Sequence, residues 1–224
     1  MKPYYQDDYV TLYNGDCREI IPRLDIRFDL LLTDPPYGIG YKPQKHNSKK
    51  SMADRNSCAT DKLSGDTGKL DFDPTYIYDK FKDINQVWWG ANNYADALPR
   101  SRGWLVWYKA DGMERTDFSH AELAWTSLNM PIRGKNFLWM GMCKSIRHKR
   151  AQHPTQKPIE IMTWCLSFFP ECKTILDPFA GSGTTGVAAK ELNRKCVLIE
   201  LEEKYCEIAA RRLSQEVFNF EEVK

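Results

Sequence analysis

Long apolar runs are missing from this 224-residue chain. Nothing approaches the roughly 18 to 20 consecutive apolar residues of a membrane span, which excludes a helical membrane protein. The opening stretch "MKPYYQDDYV" lacks the apolar centre of a secretory signal. Cysteine occurs seven times, an odd number, and never as a CxxC pair. That argues against a disulfide framework and against the usual zinc modules, and fits free thiols in a reducing compartment. The expected location is the cytoplasm. An overall excess of one charge is also missing, since 32 basic residues face 30 acidic ones.

What is present is a core-forming composition, 42% hydrophobic and 12% aromatic, in a length that suits one domain. The charge that cancels overall is unevenly spread. Between Arg133 and Lys157 lie seven basic residues and no acid, and between Lys42 and Lys62 six basic residues against two acids. Such segments suit a polyanion-binding face, although solvated basic loops would look the same. From Glu200 onward the sign reverses, with seven acids against four bases.

The pattern along the chain alternates strands with helices, which argues for an α/β fold with a mostly parallel central sheet and helices on both faces. "YVTLYN" reads as a strand, "CREIIPRL" as a brief helix capped by Asp16 and cut short by Pro22, and "RFDLLLT" as a buried strand. Residues 42–75 are polar and without period, a long loop or small insertion. "QVWWGANNY" and "GWLVWYKA" read as two further strands, and "AELAWTSL" through "KNFLWMGM" as one or two more, all rich in aromatics. "KPIEIMTWCLSFF" opens a helix whose Ile159, Met162, Cys165 and Leu166 share a face. Strand "KTILD", a glycine-rich turn, a helix, strand "KCVLIEL" and a last helix with Tyr205, Ile208, Ala209 and Arg212 on successive turns complete the series.

The turn "GSGTTG", residues 181–186, has the form GxGxxG, and Glu200 follows Gly181 by 19 residues. No Lys-Ser/Thr pair follows its last glycine, so it is not a P-loop. Asp177 ends the strand just before it. A carboxylate there would repel a pyrophosphate and attract an ammonium, so S-adenosylmethionine suits the loop better than a dinucleotide does. An ordinary strand-to-helix turn with a capping aspartate is the plain alternative. Little chain follows the Glu200 strand, so the remaining strands of a doubly wound sheet are expected upstream, in a circularly permuted order. Asp16 would then sit beside Glu200, either touching adenine or serving only as a helix cap.

In that permuted sheet the strand before "TDPPYGIG" lies next to the glycine-loop strand. Asp34, Pro35, Pro36 and Tyr37 then occupy its carboxyl end, where open α/β sheets bind ligands. An exocyclic amine on a nucleobase is a poor nucleophile, because its lone pair is delocalised into the ring. The Asp34 carboxylate and the Pro35 carbonyl would accept its two N–H bonds and bias the nitrogen towards sp3. Proline leaves such carbonyls out of strand pairing, and Tyr37 offers a face to a base taken out of the duplex.

"TDPPYGIG", "HPTQKP" and "LDPFAGSGTTG", in this order, resemble the S-adenosylmethionine-dependent DNA amino-methyltransferases of the β arrangement, N6-adenine or N4-cytosine, over nearly the whole chain. The compact form is similar to the adenine methylases of phages and prophages, which implies the cytoplasm of a bacterial or phage-infected cell. The resemblance implies that Asp34 to Tyr37 hold the target amine. It implies that Asp177, Phe179, Gly181, Gly183 and Thr184 cradle the methionine part, Glu200 the ribose and Asp16 the adenine, with Thr155 and Lys157 of "HPTQKP" behind the methionine end. Larger relatives carry a separate target-recognition region between the motifs. Here only stretches at about 42–75 and 128–152, inserted into a single domain, remain for reading double-stranded DNA. A short site or a homodimer is therefore expected, and a restriction endonuclease partner is compatible but not implied.

The DNA contacts fall to Lys42, Lys45, Lys49, Lys50, Lys144, Arg147, Lys149 and Arg150, whose charges would meet phosphates. The clustered Trp88, Trp89, Trp104 and Trp107 are expected in the core rather than as stacking platforms. Cys143, His148 and His153 match no zinc spacing, so no metal is expected. Aspartate at the head of the clamp favours adenine N6; cytosine N4 is the alternative. RNA or a protein glutamine as substrate, and a catalytically silent module that only binds nucleic acid, are the more distant ones.

Overall fold

The computed structural model describes residues 1–37, 73–109, 119–140, 143–144 and 156–215. Eleven strands are found there: β1 (Tyr5–Gln6), β2 (Val10–Asn14), β3 (Leu30–Thr33), β4 (Asn85–Trp89), β5 (Trp104–Tyr108), β6 (Ala121–Thr126), β7 (Arg133–Asn136), β8 (Trp139–Met140), β9 (Cys143–Lys144), β10 (Thr174–Asp177) and β11 (Lys195–Glu200). Five helices accompany them: α1 (Cys17–Ile20), α2 (Pro74–Lys80), α3 (Ile159–Ser167), α4 (Thr184–Glu191) and α5 (Glu203–Leu213). Nine strands form one sheet in the order β1-β2-β11-β10-β3-β4-β6-β5-β7, and β8 and β9 pair apart from it.

From β2 through β11, β10 and β3 to β4 every pairing is parallel. Parallel strands need covered faces, and the apolar sequences of β3, β10 and β11 provide for two. Leu30 and Leu32 of β3 point to a core built with Ile161, Met162 and Cys165 of α3, Val187 and Ala188 of α4, and Cys206 and Ala209 of α5. Leu31, between them, faces a second core with Cys17 and Ile20 of α1, Ile77 of α2, and Trp88. Helices therefore lie on both faces, as expected.

The permuted order is present as well. β2 runs parallel beside β11 with Asn14 opposite Glu200, and β3 runs beside β10 with Leu30 opposite Ile175. These two registers bring the carboxyl ends of four distant segments to one edge of the sheet. Three of the four clustered tryptophans are core: Trp88 and Trp89 are fully buried on opposite faces of β4, Trp89 meets the buried Trp107 edge-on at a centroid distance of 6.4 Å, and Trp104 is partly buried against the second core.

Some expectations are corrected. Residues 74 and 75, read as loop, begin α2, where Asp73 caps the helix and Pro74 sits in its first turn. Residues 133–136, expected within a DNA-reading insertion, pair with β5 as the edge strand β7. Helix α1 is brief and ends at Ile20, before Pro22, as expected, and the chain continues as a 3-10 turn over Ile21–Arg23. In α3 the buried face includes Ile161, and Ile159 is only half-buried. Lys42, Lys45, Lys49, Lys50, Arg147, Lys149, Arg150 and Thr155 lie outside the described residues, and Lys144 is described only as part of β9. No helix among the described residues is long and apolar enough to cross a membrane, and no group of three metal-ligating side chains occurs among them.

Gly103, which leads into β5, has no room for a side chain. A Cβ there would lie 2.2 Å from the Leu128 carbonyl oxygen and 2.4 Å from Thr126 Oγ1. Gly103→Ala must push backbone apart, and a loss of about 1–3 kcal/mol is expected, measurable as a lower urea midpoint with unchanged slope.

Candidate active site

Two carboxylates end neighbouring parallel strands, Asp177 buried and Asp34 partly buried. Asp177 closes β10, and Asp34 follows β3 directly. Thr33 connects them: it ends β3, precedes Asp34, and its hydroxyl donates to Asp177 Oδ1 at 3.0 Å. The Thr185 hydroxyl donates to Asp177 Oδ2 at 2.6 Å, and the Phe179 amide to Oδ1 at 3.1 Å. Asp177 thus receives three neutral donors, and no ion pair to it occurs among the described residues. Burial pushes its carboxyl up to about 7 despite those donors, with Asp34 adding to the rise.

After Phe179 the chain turns through Gly181 (φ 52°) and Gly183 (φ 75°) into α4. These left-handed conformations explain the glycines. At Gly181 a Cβ would meet nothing within 4 Å, so the loop borders open space there. Glu200, at the end of β11, accepts from the Gly181 amide at 2.8 Å through Oε2 and from the Glu202 amide at 2.8 Å through Oε1. Burial raises its carboxyl too. Arg212 of α5 supports the turn from behind, donating through Nη1 to the Ser182 carbonyl, Ser182 Oγ and Thr184 Oγ1 at 2.6, 2.7 and 3.1 Å.

The Asp34 carboxylate is held differently. Its Oδ1 accepts the Tyr37 hydroxyl at 2.6 Å, and its Oδ2 lies 2.6 Å from Lys157 Nζ. Lys157 also donates to the Tyr37 hydroxyl at 3.0 Å and lies 3.0 Å from Glu122 Oε2. Glu122, on β6, meets Lys109 at 2.8 Å through its other oxygen. Lys157, expected behind the methionine end of a cofactor, lies against Asp34 and Tyr37. Tyr37 is seated by Gly90, where a Cβ would fall 1.9 Å from its ring.

Asp16 serves as the α1 cap, accepting from the Arg18 amide at 2.8 Å, and its carboxylate is paired with the Arg18 guanidinium. That is the plainer of its two expected roles, and the guanidinium holds the carboxyl below its usual range. Sequence reasoning missed Thr33, Gly90, Glu122, Thr185 and Arg212. Thr33 and Glu122 were the legible hints, polar residues in otherwise apolar strands. Arg212 was assigned to a packed face with no reason for its charge.

The site fits an amino-acid-bearing cofactor. A buried carboxylate raised to about 7 gains most from an ammonium, and the open space at Gly181 gives such a group access to the backbone.

The raised Asp177 makes a testable contribution to stability. Its carboxyl ionises near 3.8 when unperturbed and at about 7 in the fold. Between those values the unfolded chain holds fewer protons, so its stability falls as pH rises through the window. Asp177→Asn is expected to remove that part of the fall, roughly a few kcal/mol, when denaturation midpoints at about pH 5 and about pH 8 are compared.

Comparison with known proteins agrees with this geometry. The model of the N6/N4 DNA methylases, described as DNA methylase, matches residues 75–211, which include the glycine loop. The chain is 28% identical to the Type II methyltransferase M2.LlaDCHI of Lactococcus lactis subsp. cremoris, covering 96% of this chain and 93% of that one. It is 26% identical to the Type II methyltransferase M2.DpnII of Streptococcus pneumoniae, with the same coverage. Among solved structures, the fold is similar to the PvuII DNA methyltransferase (cytosine-N4-specific), with a TM-score of 0.60, 14% identity, and coverage of 97% of this chain and 91% of that one. It is also similar to the M1.HpyAVI–SAM complex, with a TM-score of 0.54, 21% identity, and coverage of 92% and 100%. The chain belongs to the N6/N4 DNA methylase family and is an S-adenosylmethionine-dependent DNA methyltransferase.

Proposed function

We propose that the enzyme methylates the exocyclic N6 of adenine at a short site in DNA, with Asp34 to Tyr37 as the clamp for the target amine. The observation that carries the reading is the placement of Asp34 beside Asp177 on adjacent strand ends, joined through Thr33. Bound S-adenosylmethionine supplies an electrophilic methyl group. Asp177 holds its ammonium, Gly181, Gly183, Phe179 and Thr184 border its methionine part, and Glu200 takes the ribose hydroxyls. Each Glu200 oxygen accepts one backbone amide, which leaves a further lone pair on each for a hydroxyl.

The Asp34 carboxylate and the Pro35 carbonyl accept the two amine N–H bonds, which localises the nitrogen lone pair. As the nitrogen gains the methyl group it loses one proton, and Asp34 is the nearest base. No covalent nucleophile is required, so orientation and fixed charge carry the rate. The basic stretches around Lys42–Lys50 and Lys144–Arg150 are the phosphate contacts in this reading. Transfer to cytosine N4 is the second reading, favoured by the fold likeness to a cytosine-N4 enzyme.

Expression in a host without its own DNA methylation, followed by sequencing of the genomic DNA for modified bases, tests the proposal. N6-methyladenine in a short recurring context is expected; N4-methylcytosine would keep the mechanism and change the base, and unmodified DNA would overturn both. Asp34→Ala is expected to bind S-adenosylmethionine normally and to lose methyl transfer, and retained activity would sink the clamp. Gly90→Ala should displace Tyr37 and lower the rate by roughly a hundredfold, with cofactor affinity unchanged by calorimetry.

A further inference from the structure

Resting on the clamp reading above, we propose that Lys157 is a positioning residue of the amine clamp, anchored by Glu122 and Lys109, and not a cofactor contact. Its ammonium sits at the centre of four groups. Asp34 Oδ2 lies at 2.6 Å and Glu122 Oε2 at 3.0 Å. The Tyr37 hydroxyl accepts from it at 3.0 Å, and the Trp89 ring centroid lies at 5.4 Å. The side chain is 5% exposed, so these contacts replace water.

The ammonium and the Tyr37 hydroxyl together fix both Asp34 oxygens. Tyr37 donates to one and Lys157 approaches the other. Each oxygen keeps a second lone pair, and the carboxylate plane is set before a base arrives. The anchoring is asymmetric. Glu122 lies between two ammoniums, Lys157 and Lys109. Against its own burial they hold its carboxyl down at about 2. Asp34 meets a single ammonium, and burial, helped by the nearby Glu122, pushes its carboxyl up. Lys157 is therefore the one cation, among the described residues, that meets the Asp34 carboxyl and opposes that rise. Burial alone would lower the Lys157 ammonium, but Asp34 and Glu122 raise it above its usual value.

Glu122 extends the clamp to a strand that no motif marks. It belongs to β6, beyond β4 in the sheet, and reaches back across β4 to the residue that follows the "HPTQ" stretch. The clamp thus draws on β3, β6 and the lead-in to α3, and the three stay in register only because the sheet does.

The test compares Lys157→Met and Glu122→Gln with the parent enzyme. Tritiated methyl transfer to unmethylated genomic DNA is measured at saturating cofactor, and S-adenosylmethionine affinity by calorimetry. Lys157→Met is expected to keep the cofactor dissociation constant and KM within about twofold while kcat falls about a hundredfold. Glu122→Gln should show the same split with a loss of about tenfold, and it decides the matter if Lys157→Met does not fold. Cofactor affinity falling in step with the rate would make Lys157 a cofactor contact and overturn the proposal. An unchanged kcat in a folded variant would reduce the ion chain to scaffolding and overturn it equally. An active Asp34→Ala enzyme would instead remove the clamp reading beneath it, so the two failures are distinguishable.

Discussion

Two carboxylates that end adjacent parallel strands, one buried and one partly buried, set the terms for the rest of the structure. Like charges that close repel in a medium of low dielectric. The fold keeps them useful by treating them unequally. Among the described residues Asp177 receives only neutral donors, from Thr33, Thr185 and the Phe179 amide. Asp34 receives an ammonium and a phenol. The first is left wanting a cation, and the second already has one. In the proposed reading that difference separates an acceptor for the charged end of a cofactor from an acceptor for a neutral amine.

The sheet makes this separation reliable. Strands β10 and β3 are in register by two residue pairs, and a slip of one residue would turn every side chain to the opposite face. Leu30 and Leu32 would then leave their core for the one that holds Leu31. Thr33 carries the same register into the site, since it is the last residue of β3 and a ligand of Asp177. Core packing and site geometry are therefore one constraint, and the fully buried β3 is where they meet.

Much of this was legible in the sequence. The apolar run before Asp34, the glycines after Asp177 and the position of Glu200 foretold which strands are neighbours and which of their ends face the ligand. Those signals are local: a run of leucines, a turn that needs positive φ, a carboxylate at a strand end. What escaped was non-local. The Glu122–Lys157 pair joins residues on β6 and before α3, and neither neighbourhood hints at the other. Lys157 was seen as part of its motif and given to the cofactor, because nothing in one dimension shows that Asp34 is 2.6 Å away. Helix α2 was missed for another reason, since its start, Asp73-Pro74, also reads as the end of a polar loop.

Arg212 illustrates how a charge serves a loop through neutral partners. Burial lowers its guanidinium to about 10, and its partners, Ser182 and Thr184, are neutral. Withdrawing a cation from water is costly, so a purely structural tie at this place would be made more cheaply by a neutral donor. The glycine turn supplies the reason. Gly181 and Gly183 adopt left-handed conformations with no side chains to wedge them, and the residue between them, Ser182, is the one Arg212 holds by both its carbonyl and its hydroxyl. Two contacts from one guanidinium nitrogen, to the Ser182 carbonyl and hydroxyl, fix that residue where a single contact would let it rotate. The same logic governs the clamp, where Lys157 holds Asp34 and Tyr37 at once. In both halves of the site a buried cation fixes the group that must not turn. The carboxylate left without one, Asp177, is the one suited to the ammonium of S-adenosylmethionine.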